Sequence, residues 1–224
     1  MRKNRKIISA VVFSLTAVGV MSVFESVVQP SYWIKSFIKV ICFSSAVIIY
    51  SLIYKEKISD LLNLKKKLPS RRLLIVMGLV YISMILAYLI LKNQIDLSNI
   101  RENLLKKEGV TKENFIFVFS YIIFINSFLE EAFFRGFIYN VFRREGYSLP
   151  GMIYGSLLFA FYHLGIVALW FDPLILVLCI AGLAFAGAFL QLIEIREDNL
   201  AASWFVHGCA NLAINTIGTM MLFM

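Results

Sequence analysis

Charge is scarce in this chain. Only 16% of its 224 residues are Asp, Glu, Lys or Arg, while 60% are hydrophobic. An ordinary soluble domain is nearer half apolar and a quarter charged, so the first class to consider is a membrane protein. Cysteine is scarce as well. Cys42, Cys179 and Cys209 are odd in number, widely spaced and each set in an apolar stretch. With no C-x-x-C pair, a disulfide framework is excluded and the three read as small buried hydrophobes. There are only two histidines, no H-E-x-x-H, no internal repeat and no loop long enough to hide a separate soluble domain. The net charge of +8 does not point to nucleic acid, because its basic residues cluster between apolar runs instead of interleaving with aromatics. That placement suits anionic lipid headgroups and membrane topology.

What the chain has is apolar runs. Spanning a ~30 Å hydrocarbon core takes about 20 residues, and seven stretches qualify: about 7–28, 33–54, 73–91, 114–142, 149–170, 173–193 and 199–223. The expected fold is all-α, a polytopic bundle of about seven transmembrane helices. Residues 1–113 form its amino-terminal helices and connectors, and 114–224 a core. The first run follows Met-Arg-Lys-Asn-Arg-Lys but lacks a small-residue cleavage site, so it reads as a retained anchor.

Lys/Arg asymmetry sets the orientation. With the amino terminus inside, the cytoplasmic segments hold Arg2, Lys3, Arg5, Lys6, seven basic residues from Lys55 to Arg72, and Arg143, Arg144 and Arg196. On the other side, Lys92, Arg101, Lys106, Lys107 and Lys112 are offset by Asp96, Glu102, Glu108 and Glu113. Seven spans then put the carboxyl terminus outside. Lys35 and Lys39 disagree with this pattern, and are expected either to snorkel or to lie with residues 31–39 in the interface. Residues 93–113 read equally as an interfacial amphipathic helix or as a solvated connector. Gly182/Ala186 and Ala184/Ala188 are spaced for close helix packing.

Three polar clusters interrupt the apolar runs: Glu130-Glu131-x-x-x-Arg135, Phe159-x-x-x-His163 and His207-x-x-x-Asn211. Both histidines fall in them. An ionisable residue inside a bilayer costs roughly 2.5–3.5 kcal/mol on insertion scales and is retained mainly for a pathway or a reaction. Glu131 and Arg135 are i, i+4, which allows an ion pair. Glu130, about 100° away around the helix, is then the freer carboxylate and a candidate general base. His207 and Asn211 share a helix face and can donate to a developing oxyanion. The plainer alternatives are interfacial charges for the first cluster, a packing histidine for His163, and an interhelical hydrogen-bonding pair for His207 and Asn211. Jointly the clusters point to a buried polar site.

The ordered set Glu130-Glu131-Ala132-Phe133-Phe134-Arg135, Phe159-Ala160-Phe161-Tyr162-His163 and His207-Gly208-Cys209-Ala210-Asn211 resembles the CAAX prenyl protease and bacteriocin-processing (CPBP, ABI) family. The resemblance covers about residues 114–215. It implies an intramembrane endopeptidase with its site in a cavity opening toward the cytosol. Glu130, helped by His163, would activate water; His207 and Asn211 would stabilise the oxyanion; Glu131 and Arg135 would hold the site. If a catalytic zinc is present, Glu130, His163 and His207 are its three protein ligands; a metal-free glutamate mechanism is slightly favoured. The implied partners are the lipid bilayer and a membrane-associated peptide or protein tail. The implied setting is a bacterial cell membrane, in peptide or bacteriocin maturation, immunity or regulation. The rivals are a non-catalytic scaffold for a sensor kinase or peptide, and a small transporter with a carboxylate relay. The chain lacks the repeated halves and broken helices that would favour the transporter.

Overall fold

The computed structural model describes residues 2–65, 70–168 and 170–223, without the side chains of Arg2 and Lys3. Lys66 and Lys67, two of the basic residues expected in the cytoplasm, lie outside the described residues. Helices account for nearly all of the rest, and no strand occurs among the described residues. We number them α1 (Arg2–Val23, continued by a π turn Phe24–Val28), α2 (Tyr32–Tyr54), α3 (Ile58–Leu62), α4 (Arg71–Leu91), α5 (Leu97–Lys106), α6 (Phe115–Arg144), α7 (Ser148–Val167), α8 (Pro173–Glu197) and α9 (Leu200–Phe223).

The ends follow local chemistry. Ser70 and Asp96 cap α4 and α5 by accepting from Leu73 N and Asn99 N. Asp172 takes both Leu174 N and Ile175 N at 3.1 Å, with Pro173 at the first position of α8. Left-handed residues stop α1 at Gln29, α2 at Lys55, α3 at Asn63 and α8 at Asp198.

Six helices are long and apolar enough to cross a membrane: α1, α2, α4, α6, α7 and α8. The seventh expected span forms α9 but is not among them. It is 24 residues long, and the polar side chains of His207, Asn211 and Asn215 lower its apolar character. Large apolar side chains cover the outside, with Leu52 72%, Ile90 73% and Phe185 74% exposed. In water that surface would aggregate; in lipid it needs no cover.

The core lies where α1 and α2 pack on α6 and α7, around stacked Phe43 and Phe133 with ring centroids 4.0 Å apart. The helices on either side of residue 113 thus share one apolar core. α8 packs on α7, and α4 on α9. The small-residue spacing predicted close contact at Gly182, but that glycine faces open space. The close approach is at Gly187, where an added Cβ would meet Ser156 Cα at 3.0 Å. At the amino-terminal end, Glu194 accepts from Asn63 Nδ2 at 2.7 Å and Gln191 Nε2 at 2.9 Å, pinning the chain after α3 to α8. Nearby, the exposed Lys65 and then Asn63 hold the Asp198 carboxyl below the usual carboxylate range.

Candidate functional site

α6 supplies the first cluster, and its winding is irregular there. Ser127–Glu131 is α-helical between two π segments, Tyr121–Asn126 and Ala132–Tyr139. A π turn frees carbonyls that an α-helix would use, and buried carbonyls must find donors. In the first segment α9 provides them. Asn211 Nδ2 donates to Ile122 O at 3.2 Å and Trp204 Nε1 to Phe124 O at 3.2 Å, while Ser127 Oγ bonds Ile123 O on α6 itself. These bonds fasten α9 beside Glu130 and Glu131.

The two carboxylates have different partners. Glu131 Oε1 lies 3.1 Å from Arg135 Nη1 and 2.9 Å from His207 Nδ1. Arg135 also donates from Nη2 to Gly187 O at 3.0 Å and lies over the Phe159 ring at 4.5 Å, so the guanidinium is wedged between α6, α7 and α8. Glu130 is not the free carboxylate expected from helix spacing. Its Oε1 is 3.0 Å from Lys39 Nζ and accepts from Asn126 Nδ2 at 3.1 Å. Lys39 also donates to Asn126 Oδ1 at 2.6 Å and lies over the Tyr162 ring at 4.9 Å.

The snorkelling expected of Lys35 and Lys39 is therefore corrected. Both are buried; Lys35 bridges Glu25 at 2.7 Å and Glu108 at 2.6 Å, and Lys39 is a site residue. Burial next to acidic partners on other helices outweighs the pull of the headgroups.

Glu130 Oε2 points the other way, 3.9 Å from His163 Nε2 and 3.6 Å from His207 Nε2, with no hydrogen-bond partner of its own. The tautomers follow from the opposite ring edges. His163 Nδ1 is 2.8 Å from Phe159 O, a carbonyl that can only accept, so this nitrogen carries the proton. His207 Nδ1 likewise faces the Glu131 carboxylate. With neutral rings, both Nε2 atoms present lone pairs. Lys39 and Arg135 then balance Glu130 and Glu131, and the buried cluster closes at zero net charge, the arrangement that makes burial tolerable. Three acceptors thus face one small space with no donor among them.

Glu130 and His163 line a cavity of about 220 Å³ together with Lys39, Asn126, Asn215, Tyr32, Leu104 and Phe115. Asn211 and His207 do not line it, although His207 reaches Glu130 from behind. Asn215, one turn beyond Asn211, does. Its Nδ2 is buried without a partner, a donor facing the same cavity as the acceptors. Sequence reasoning missed Lys39 and Asn215. The second had a signal, the four-residue spacing of His207, Asn211 and Asn215.

The cavity opens at the end of the bundle away from the amino terminus, under α5, whose Ile100 and Leu104 form its roof. Residues 97–106 are thus a helix over the mouth and not a plain connector. A cytosolic amino terminus and a cytosolic mouth cannot both hold. Among the described residues, no group of three His, Cys, Asp or Glu side chains is placed to hold a metal ion.

Replacing Lys39 by Met leaves Glu130 as an uncompensated buried charge, and the expected result is a lowered melting temperature together with lost activity. The stability loss should shrink when Glu130→Gln is made in the same chain. Equal losses in the two backgrounds would show that the pair does not interact.

Residues 112–213 match the family model described as Rce1-like, type II CAAX prenyl endopeptidase. No curated protein and no solved structure matches the chain.

Proposed function

We propose that this chain, whose residues 112–213 match the Rce1-like family model, is a CAAX-type intramembrane protease that hydrolyses a peptide bond by general-base activation of water at Glu130. One observation carries this reading: Glu130 Oε2 lies unpartnered 3.9 Å from His163 Nε2 and 3.6 Å from His207 Nε2, and Glu130 and His163 line a cavity. A water molecule has the two hydrogens that such a space lacks. Glu130 Oε2 takes one, the resulting hydroxide adds to the scissile carbonyl, and the C–N bond breaks as that proton passes to the leaving nitrogen. His163 and His207 orient the water. Glu131 holds His207 in the required tautomer, and Arg135 neutralises Glu131. Lys39 and Asn126 fix the carboxylate by its other oxygen.

The oxyanion needs a donor. Asn211 has one of its two N–H groups engaged by Ile122 O and keeps the second, one helical turn from His207 on α9. Asn215 lines the cavity with its Nδ2 unpartnered, but it lies two turns from His207, about 12 Å along the helix. We therefore assign the carbonyl oxygen to Asn211. Asn211→Leu should lower kcat on the order of 10²–10³-fold with KM nearly unchanged, as loss of one oxyanion donor does. An unchanged kcat would remove Asn211 from the reaction.

One observation favours a reaction without a resident zinc. The Lys39 ammonium already lies 3.0 Å from the same carboxylate and would repel a dication beside it. A scaffold reading has to keep a carboxylate oxygen buried and unpaired, which costs about 1–3 kcal/mol or more, with no return.

The biological roles we assign are maturation of a peptide or bacteriocin, immunity or regulation in a bacterial membrane. The test is incubation of the purified chain with membrane-associated peptides, with product ends read by mass spectrometry. Cleavage is expected to persist after exhaustive chelation. Activity that chelation removes and zinc alone restores would replace this mechanism with a metal-dependent one.

A further inference from the structure

The two ends of the bundle differ in charge and in access. At one end, Lys6 meets Glu56 at 2.6 Å and Glu145 at 3.4 Å, and Arg144 meets Glu56 at 3.0 Å. The start of α1, the end of α2 and the end of α6 are thereby joined. In sequence, the segments 2–6, 55–72, 143–144 and 196 carry 14 of the 22 Lys and Arg residues. At the other end, Lys35 ties Glu25 to Glu108, and Tyr32 N donates to Glu108 O at 3.1 Å. The segments 25–35, 92–113 and 172 there hold six basic and six acidic residues and sum to zero. Membrane proteins keep the Lys/Arg-rich end in the cytoplasm, so the neutral end faces out.

The cavity opens at the neutral end. Its upper wall is made by Tyr32 at the start of α2, Phe115 at the start of α6, Trp170 after α7, Met221 near the end of α9, and Ile100 and Leu104 of α5. Beside it lies a small polar vestibule that shares Glu25, Lys35, Glu108, Ile166 and Trp170 with it and adds Asn103 and Lys107. The route therefore runs from a polar rim through an apolar throat to Glu130. At about 220 Å³ the throat has room for a short apolar segment.

We infer that the site is loaded from the non-cytoplasmic face, and that its substrate is an apolar segment of a peptide already translocated across the membrane. The inference rests on the protease reading for the word substrate, but the side of access stands on charge and cavity placement alone. The reaction that supplies this substrate is export, and the released fragment leaves outward.

Two experiments on the full chain separate these claims. Cys42, Cys179 and Cys209 are replaced by Ala, and single cysteines are placed at Lys107, exposed beside the vestibule, and at Lys57, exposed at the opposite end. In intact cells, a membrane-impermeant maleimide should label Lys107→Cys and leave Lys57→Cys unlabelled until the cells are opened. The reverse pattern overturns the proposal. Two reporter peptides with the same apolar segment are then presented, one from each side of the membrane. Only the outward-facing reporter should be cut, and not by the Glu130→Gln variant. Cutting of the inward-facing reporter alone overturns the proposal. Cutting of neither, with labelling as expected, overturns the protease reading and leaves the sidedness in place.

Discussion

Glu130→Gln is expected to lower kcat on the order of 10²–10⁴-fold, the usual contribution of a positioned general base, while the protein still inserts and accumulates. The substitution keeps the side chain's shape and an oxygen for Lys39 and Asn126 to hold, and it removes the carboxylate that faces both His163 Nε2 and His207 Nε2 and would take the proton from water. Because the carboxylate is buried and paired, an alanine would confound lost chemistry with a stranded Lys39 ammonium. Glutamine separates the two. The measurement is single-turnover cleavage alongside a melting curve in the same detergent. Wild-type rates in a stable Glu130→Gln protein would remove Glu130 from the chemistry and leave it a structural partner of Lys39.

The parts of this site that were legible in the sequence are those carried by a single helix. Glu131 and Arg135 are one turn apart, and their 3.1 Å contact is what i, i+4 spacing on α6 allows. Hydropathy placed the spans for a similar reason, because lipid imposes one length on every crossing. The expected 33–54 and 73–91 compare with Tyr32–Tyr54 and Arg71–Leu91.

What depended on packing was not legible. Lys39 and Glu130 are separated by 91 positions, and a lysine near the end of a span carries no mark that distinguishes snorkelling from pairing inward. Glu130 was read as unpaired for the same reason, since its partner sits on another helix. The π winding of α6 leaves no periodicity to read in a helix that is apolar nearly all round, yet it turns Ile122 O and Phe124 O toward α9. The direction of the cavity required knowing that α5 folds over the ends of α2 and α9. A family resemblance carried by the motifs alone could not supply that.

Arg135→Met should cost about 3–5 kcal/mol of stability, the usual result of removing one partner from a buried ion pair. Arg135 is 2% exposed and makes two separate attachments, to the Glu131 carboxylate at 3.1 Å and to Gly187 O at 3.0 Å. Methionine fills much of the space against Phe159 but answers neither oxygen. Glu131 then keeps the His207 Nδ1–H but has no cation beside it, and a proton on His207 is one way to supply the charge. Protonation turns Nε2 from acceptor to donor and changes what the Glu130 space can hold, so activity should fall along with stability. The double variant Glu131→Gln/Arg135→Met separates the two effects. With no charge left to strand, it should recover part of the melting temperature, yet it should stay slow because a neutral amide in place of the Glu131 carboxylate no longer fixes the His207 tautomer. A single Arg135→Met variant with full thermal stability and full activity would contradict the pairing. Recovery of both properties in the double variant would show that the ion pair serves the fold and not the reaction.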